Sequence, residues 1–223
     1  MHILKNEKRN DYLKRYSITH LFSFPIEDYI QVHEYKSGEW IVQEGTRPEH
    51  LLYVLEGKAK IYITHQNGKV SLLNFINEFE YIGEMELLNE VYYSNGIQTS
   101  TKTICFAIPF HSCRKLLLED ATFLRHLSIF LSNKATEMAA KYSQILAFPL
   151  ENRLADFILQ TMDNDLYKEK HVTVCDFLGV SYRHLLYVLA QFCEKQYIKK
   201  EGHAYRIIDQ AALTALAHIL KNE

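Results

Sequence analysis

Between residues 29 and 110, short apolar bursts of Ile, Val, Tyr and Leu alternate with polar, glycine-bearing stretches. KSGEW, QEGTRPE, LEGKA, HQNGK and YIGE read as turns, and the bursts between them as strands. Gly38, Gly45, Gly57, Gly68 and Gly83 punctuate strands spaced about ten residues apart, the rhythm of a compact β-roll or jelly roll. Spacing alone is equally compatible with another β topology. Asn67-Gly68, between AKIYIT and VSLLNF, predicts a two-residue hairpin.

From about Ser112 to Phe148 the period becomes helical. Leu124, Ser128, Leu131, Ala135, Met138, Tyr142 and Ile145 alternate by four and three, a seam of three heptads. The small Ser128 and Ala135 would let a partner helix approach closely. Such a seam suits a helix lying on its own β domain or one paired in parallel with a second copy. Its length favours the pair, and hence a homodimer. Pro149 breaks the pattern, and Asn152 to Met162 resumes as an amphipathic helix.

The polar loop DNDLYKEK precedes two short helical segments. Val174 to Leu178 is expected to be capped by Thr173, with Asp176 in the reciprocal position, and Tyr182 to Lys195 by Ser181. Gly179 supplies the tight turn between them, and YIKKEGHAYRII predicts a β-hairpin turning at Glu201-Gly202. Leu185, Leu186, Val188, Leu189 and Phe192 give the second helix an apolar side, while Tyr182, Arg183 and His184 open it with polar groups. Helix, turn, helix and β wing describe a winged helix-turn-helix, whose second helix enters the DNA major groove N-terminus first. Arg183 is suited to guanine O6 and N7, and Tyr182, His184 and Tyr187 to phosphates or thymine methyls. Lys199, Lys200 and Arg206 suit phosphates, and Ser181, as N-cap, can bring a backbone amide to one. A helical hairpin that never meets DNA would show the same pattern.

The chain thus divides into an N-terminal helical segment (1–28), a β-roll (29–110), a long central dimerisation helix (111–148) and a winged helix-turn-helix (149–223), an α+β organisation. Its 223 residues, 48% hydrophobic and 23% charged, fit ordinary globular domains. The longest apolar runs, such as Ile104 to Phe110, fall far short of the roughly 20 residues of a membrane helix. Charges stand in MHILKNEKRNDYLKRY where a signal peptide needs its apolar region. A cytoplasmic protein with no membrane partner is expected. The net charge of −2 announces no nucleic acid, but residues 177–206 hold five Lys/Arg against two Glu, a local +3. Cys105, Cys113, Cys175 and Cys193 form no C-x-x-C pair and read as free thiols, with a Cys105–Cys113 redox switch left open. No metal site and no cofactor is expected. No histidine sits two residues from another, as a metal enzyme on a β-roll would need, and no nucleophile, P-loop or paired-carboxylate arrangement has usable context.

The segment YKSGEWIVQEGTRPEHLLYVLEGKAKIYITHQNGKVSLLNFINEFEYIGEMELL resembles the cyclic-nucleotide-binding-type β-roll of the Crp/Fnr transcription regulators. The order of roll, long helix, break and winged helix-turn-helix matches as well, from about Tyr29 to Ile208. SYRHLLYVLAQF looks most like the YeiL branch. The resemblance implies a homodimer on double-stranded DNA, its two recognition helices reading a two-fold symmetric site at a spacing of about 34 Å. It implies base-reading roles for Tyr182, Arg183 and Tyr187, and RNA polymerase as a partner if the protein is an activator.

In cAMP-binding members a Gly-Glu pair holds the ribose and an Arg-Ser pair clamps the phosphate. Gly83 and Glu84 match the first pair, but the second falls on Tyr93 and Ser94, and no arginine lies between Arg47 and Arg114. The hydroxyls that meet adenine fall on Ala139 and Ala140. A buried phosphate would lack its cation, so the sensor domain is not expected to receive cAMP, and Glu84 is expected to serve as an acceptor within its turn. An unknown small-molecule effector, with Tyr81, Tyr92 and Tyr93 nearby, remains compatible. No cysteine precedes Cys105, so the N-terminal cysteines of the iron–sulfur branch have no counterpart. The alternative is a sensor module that acts through protein partners without specific DNA binding.

Overall fold

The computed structural model describes residues 1–5, 7–91 and 94–218, with the side chains of Lys141, Ile145, Leu146 and His218 outside the described set. The chain forms two compact units, Met1–Lys134 and Ala135–Glu223. The division falls inside the long helix rather than at either of its ends.

The first unit is built on two antiparallel sheets. One has the order β1-β2-β9-β4-β7, formed by β1 (His2–Leu4), β2 (Gln31–Tyr35), β9 (Thr103–Pro109), β4 (His50–Glu56) and β7 (Tyr81–Ile82). The other has the order β3-β8-β5-β6, from β3 (Trp40–Val42), β8 (Gly96–Thr99), β5 (Ala59–Thr64) and β6 (Val70–Ile76). Strand β9 is buried at every position, and the two-residue period of a strand says why. Cys105 and Ala107 join Val42, Ala59, Ile61 and Ile97 in the core shared with the second sheet. Ile104, Phe106 and Ile108 turn the other way, onto a cluster with Ile18, Phe22, Cys113, Leu117, Phe123 and Leu127. An apolar run without alternation is what a strand covered on both faces requires.

Several local expectations change. The N-terminal segment is not wholly helical: β1 adds an edge to the sheet by pairing His2 with Glu34 and Leu4 with Val32, before helix α1 (Glu7–Arg15). The β5–β6 hairpin closes with three residues rather than two. His65 N–H bonds the Lys69 carbonyl and Gly68 N–H the His65 carbonyl, with Gly68 at φ 79°, a turn followed by a left-handed glycine. The helical stretch 111–148 is broken into α3 (Phe110–Glu119) and α4 (Ala121–Ala147). Asp120 makes the break: its carboxylate accepts from Thr122 N–H at 2.9 Å and from Ser23 N–H at 2.8 Å. Burial alone would raise its pKa, but these backbone bonds hold it below the usual carboxylate value. Gly57 is irreplaceable for space as well as conformation, since at φ 96° a Cβ would lie 2.3 Å from the Lys102 carbonyl oxygen.

The second unit holds α5 (Leu150–Thr161), α6 (His171–Leu178), α7 (Tyr182–Glu194), α8 (Gln210–His218) and a sheet of order β10-β12-β11. These strands are Leu166–Tyr167, Ala204–Ile207 and Ile198–Glu201 respectively. The expected polar loop 163–170 contains β10, whose Tyr167 is fully buried. Helix α6 begins at His171 after Lys170, with no side-chain cap, so Thr173 lies inside the helix and caps nothing. In the wing Glu201 pairs with Ala204, which moves the turn to Gly202-His203. Among the described residues no single helix is long and apolar enough to cross a membrane.

Candidate nucleic-acid interface

Local chemistry builds the bend between α6 and α7. Gly179 ends α6 at φ 64°, ψ 41°, a left-handed residue that halts a helix without a Cβ penalty. Ser181 starts α7, its Oγ accepting from His184 N–H at 3.2 Å. The two axes differ by 106°, within the range for helix-turn-helix pairs. Arg153 of α5 holds the bend from beneath, donating to the Leu178 carbonyl at 2.6 Å and the Phe148 carbonyl at 3.2 Å. Burial pulls its pKa below the ordinary arginine value, a cost offset by these bonds to helix-end carbonyls.

Leu185, Val188, Leu189 and Phe192 of α7 are buried, and they turn the opposite face outward. Tyr182 is 51% and Tyr187 60% exposed, and Ser181, Arg183 and His184 are exposed too. Arg183 makes no ion pair among the described residues. Leu186, expected on the apolar side, is 40% exposed. The 100° step between helical residues places it between Tyr182 and Arg183 on the outward face. Gln191 Nε2 donates to the Tyr187 hydroxyl at 3.0 Å, fixing that ring along the helix.

Position in sequence hid one further residue. His171, the first residue of α6, lies with its ring 5.8 Å from that of Tyr182 and 6.1 Å from that of Tyr205. Its Nδ1 is 3.4 Å from the Tyr182 hydroxyl. Burial, then the charge of Lys200, lowers the His171 pKa, so it stands as a neutral wedge under the first side chain of α7.

The wing residues divide by strand alternation. Lys199 pairs in register with Arg206, and Lys200 with Tyr205, so Lys199 and Arg206 share one face and Lys200 takes the other. Lys199 and Lys200 are exposed. Arg206 is committed differently from the expectation: its Nε and Nη2 each donate to Glu201 at 2.9 Å. This exposed bidentate pair lowers the Glu201 pKa and raises that of Arg206, and it competes with any phosphate for the guanidinium.

Of the expected effector residues, Gly83, Glu84 and Ser94 lie at helix α2 (Glu84–Leu88). Gly83 precedes it at φ 91°, where a Cβ would lie 2.9 Å from the His50 carbonyl oxygen. Glu84 is 3% exposed. It serves an element outside its own turn: Lys134 of α4 donates to Glu84 Oε1 at 2.6 Å. Ser94 is buried and donates to Glu86 Oε1 at 2.7 Å. Tyr92 and Tyr93 lie outside the described residues. Tyr81 is a core residue, its ring 4.9 Å from that of Tyr53 and 5.2 Å from that of Phe130. Ala139 and Ala140 are exposed. Burial pushes the Cys105 thiol up to about 12 and raises that of Cys113; they sit in separate apolar clusters, which disfavours the redox pairing. Among the described residues no three His, Cys, Asp or Glu side chains gather to hold a metal.

Along α4, Leu124 and Leu131 are half-buried against the roll's core. Ser128, Ala135, Met138 and Tyr142 are exposed. The side chain of Ile145 lies outside the described set.

Comparison with known proteins agrees with this architecture. Residues 32–120 match the cyclic nucleotide-binding domain family. Regulatory protein YeiL of Escherichia coli O157:H7 is 42% identical over 199 residues, 89% of this chain and 86% of that protein. The cAMP-activated global transcriptional regulator CRP of the same organism is 24% identical over 130 residues, 57% of this chain and 61% of CRP. In fold, the chain is similar to a Crp/Fnr-family regulator from Eubacterium rectale, with TM-score 0.71 and 18% identity over 95% of this chain and all of that one. A CRP/FNR-family regulator from Thermus thermophilus gives 0.67 and 18%, over 84% and 98%. The chain belongs to the Crp/Fnr family of DNA-binding transcription regulators, alongside regulatory protein YeiL.

Proposed function

We propose that the protein is a homodimeric, non-enzymatic cytoplasmic regulator that reads a two-fold symmetric DNA site with α7, without cAMP as its signal. The observation that carries this reading is the outward face at the start of α7. Ser181, Tyr182, Arg183, Leu186 and Tyr187 are exposed together, on a helix whose other side is locked in the core. Arg183 supplies the bidentate donor for guanine, and Tyr182 and Leu186 the apolar contact for thymine methyls. Lys199 and Lys200 meet phosphates, whereas Arg206 does so only by exchanging Glu201 for the DNA. The exposed Ser128, Ala135, Met138 and Tyr142 form the dimer seam, joined by Leu124 and Leu131 at the rim of their contact with the roll. RNA polymerase enters as a partner if bound protein activates.

The roll already commits the groups that cAMP would need. Lys134 already neutralises Glu84, the residue that would hold the ribose, and Glu86 already takes the Ser94 hydroxyl. Neither Gly83 nor Ser94 brings a cation for a phosphate.

Selection of genomic fragments by the purified protein, at near-physiological salt and without added ligand, tests the proposal. A two-fold symmetric motif is expected. Arg183→Ala should lose about 1–3 kcal/mol of specific affinity and relax one position of each half-site. Lys199→Ala should weaken all sequences alike and flatten the salt dependence. If neither substitution changes binding to any DNA, α7 is not the reading helix and a protein-only role takes its place.

A further inference from the structure

The arginines that bound the gap in the sequence, Arg47 and Arg114, are brought to one cavity. With Pro48, Glu86, Glu90 and Phe110 they line a cavity of about 260 Å³ on the side of α2 that faces α3. It is smaller than the ~300 Å³ at the lower end of drug-sized sites. Arg114 anchors it. Its Nη2 donates to the Glu86 and Leu87 carbonyls at 2.8 and 2.7 Å, its Nε lies 3.0 Å from Glu90, and it stacks 5.5 Å over Phe110.

We propose that this cavity is a receptor site for a small zwitterion, a free α-amino acid. The walls carry two guanidinium groups and two carboxylates, so a ligand of large net charge is opposed by one pair or the other. A nucleotide's phosphate would face Glu86 and Glu90; a polyamine would face Arg47 and Arg114. A molecule with one carboxylate and one ammonium on adjacent atoms matches both, and Phe110 and Pro48 offer an apolar wall for its side chain. Binding proceeds by exchange of partners. The ligand carboxylate takes the guanidinium edge that Glu90 occupies, and its ammonium takes the carboxylate so released. Glu90 is 69% exposed and able to swing, while Arg114, 25% exposed, stays fixed by its two carbonyl bonds.

The site has a route to the rest of the molecule. The carbonyls that Arg114 holds belong to α2, the helix that begins with Glu84 and its bond to Lys134 of α4. Rearrangement at Glu90 therefore bears on the short helix whose other end grips the long one.

The experiment measures binding to the full chain alone, so it stands apart from whether DNA is recognised. Each standard amino acid is tested at millimolar concentration by calorimetry and thermal melting, beside its decarboxylated amine and its 2-oxo acid. One amino acid, or a small chemically related set, should bind and raise the melting temperature, and neither counterpart, each lacking one of the two α-charges, should. Arg47→Met should weaken that binding by about tenfold or more, the loss of a charge-assisted bond, with the melting temperature of the unliganded protein near that of the parent. Glu90→Gln should weaken the amino acid in the same way. Absence of binding by every amino acid, equal binding of an amine or oxo acid, or unchanged affinity in both variants would overturn the proposal. Binding of a nucleoside monophosphate that Arg47→Met abolishes would also overturn it, marking a phosphate site instead.

Discussion

Replacing Lys134 by methionine keeps most of the side chain's volume and removes only the charge that Glu84 faces. The Glu84 side chain is 5% exposed and that of Lys134 25%, so water can replace the ammonium only in part. At 2.6 Å the gross attraction is ~6 kcal/mol with an effective dielectric constant of about 20. Desolvation of both groups cancels much of that, and removing one partner of a fully buried pair typically costs about 3–5 kcal/mol. The partial exposure of Lys134 lowers the expected loss to about 2–3 kcal/mol. Trp40, the only tryptophan, lies in β3 and reports on the roll, so urea unfolding followed by its fluorescence reads the effect directly. The midpoint should fall with little change in slope. Glu84→Gln combined with Lys134→Met should regain all but about 1 kcal/mol, because a neutral pair no longer strands a charge. A loss below about 0.5 kcal/mol in the single variant, the level of an ordinary surface change, would refute the claim that this pair fastens α2 to α4.

Met138→Glu places a carboxylate on the proposed seam against its own symmetry mate, and sedimentation should show monomers that have lost high-affinity DNA binding. A dimeric variant would exclude this face of α4 as the interface. His33, buried against His50, has its pKa lowered from 6.5 to about 4, chiefly by burial. The unfolded chain thus binds the extra proton first. Stability from this group is complete above pH 6.5 and is lost as pH falls toward 4, by about 3 kcal/mol at the limit. His33→Gln should flatten the pH dependence of the urea midpoint across that window, and an unchanged slope would count against it. His171→Ala should relax sequence preference in DNA selection while leaving non-specific affinity intact. His171→Phe should restore part of the preference if the ring's packing against Tyr182 is what matters; equal preference in all three proteins would dismiss His171 as a positioning residue.

The helix-turn-helix was legible because its signals are local. Gly179 stops one helix and Ser181 caps the next, and both act within three residues through backbone conformation and a single side-chain bond. Leu186 was misplaced for a subtler reason. It is apolar and adjacent to Leu185, and one helical step of 100° separates the core from the surface. The Thr173 cap failed because α6 starts three residues earlier than Val174, at His171, after a Lys170 that makes no side-chain cap bond.

Alternation and glycine spacing in the sequence determined the strands between residues 29 and 110, and the heptad and turn signals determined the course of α4 and the bend ahead of α7. These are properties of a few neighbouring residues, for which backbone sterics and one-face burial suffice. Tertiary structure alone decided what the charges do. Asp120 reaches Ser23 across 97 positions to break the long helix, Lys134 reaches Glu84 across 50, and Arg47 and Arg114 come to line one cavity. A buried charge takes whatever partner the folded chain brings within about 3 Å, and sequence separation carries no information about that distance.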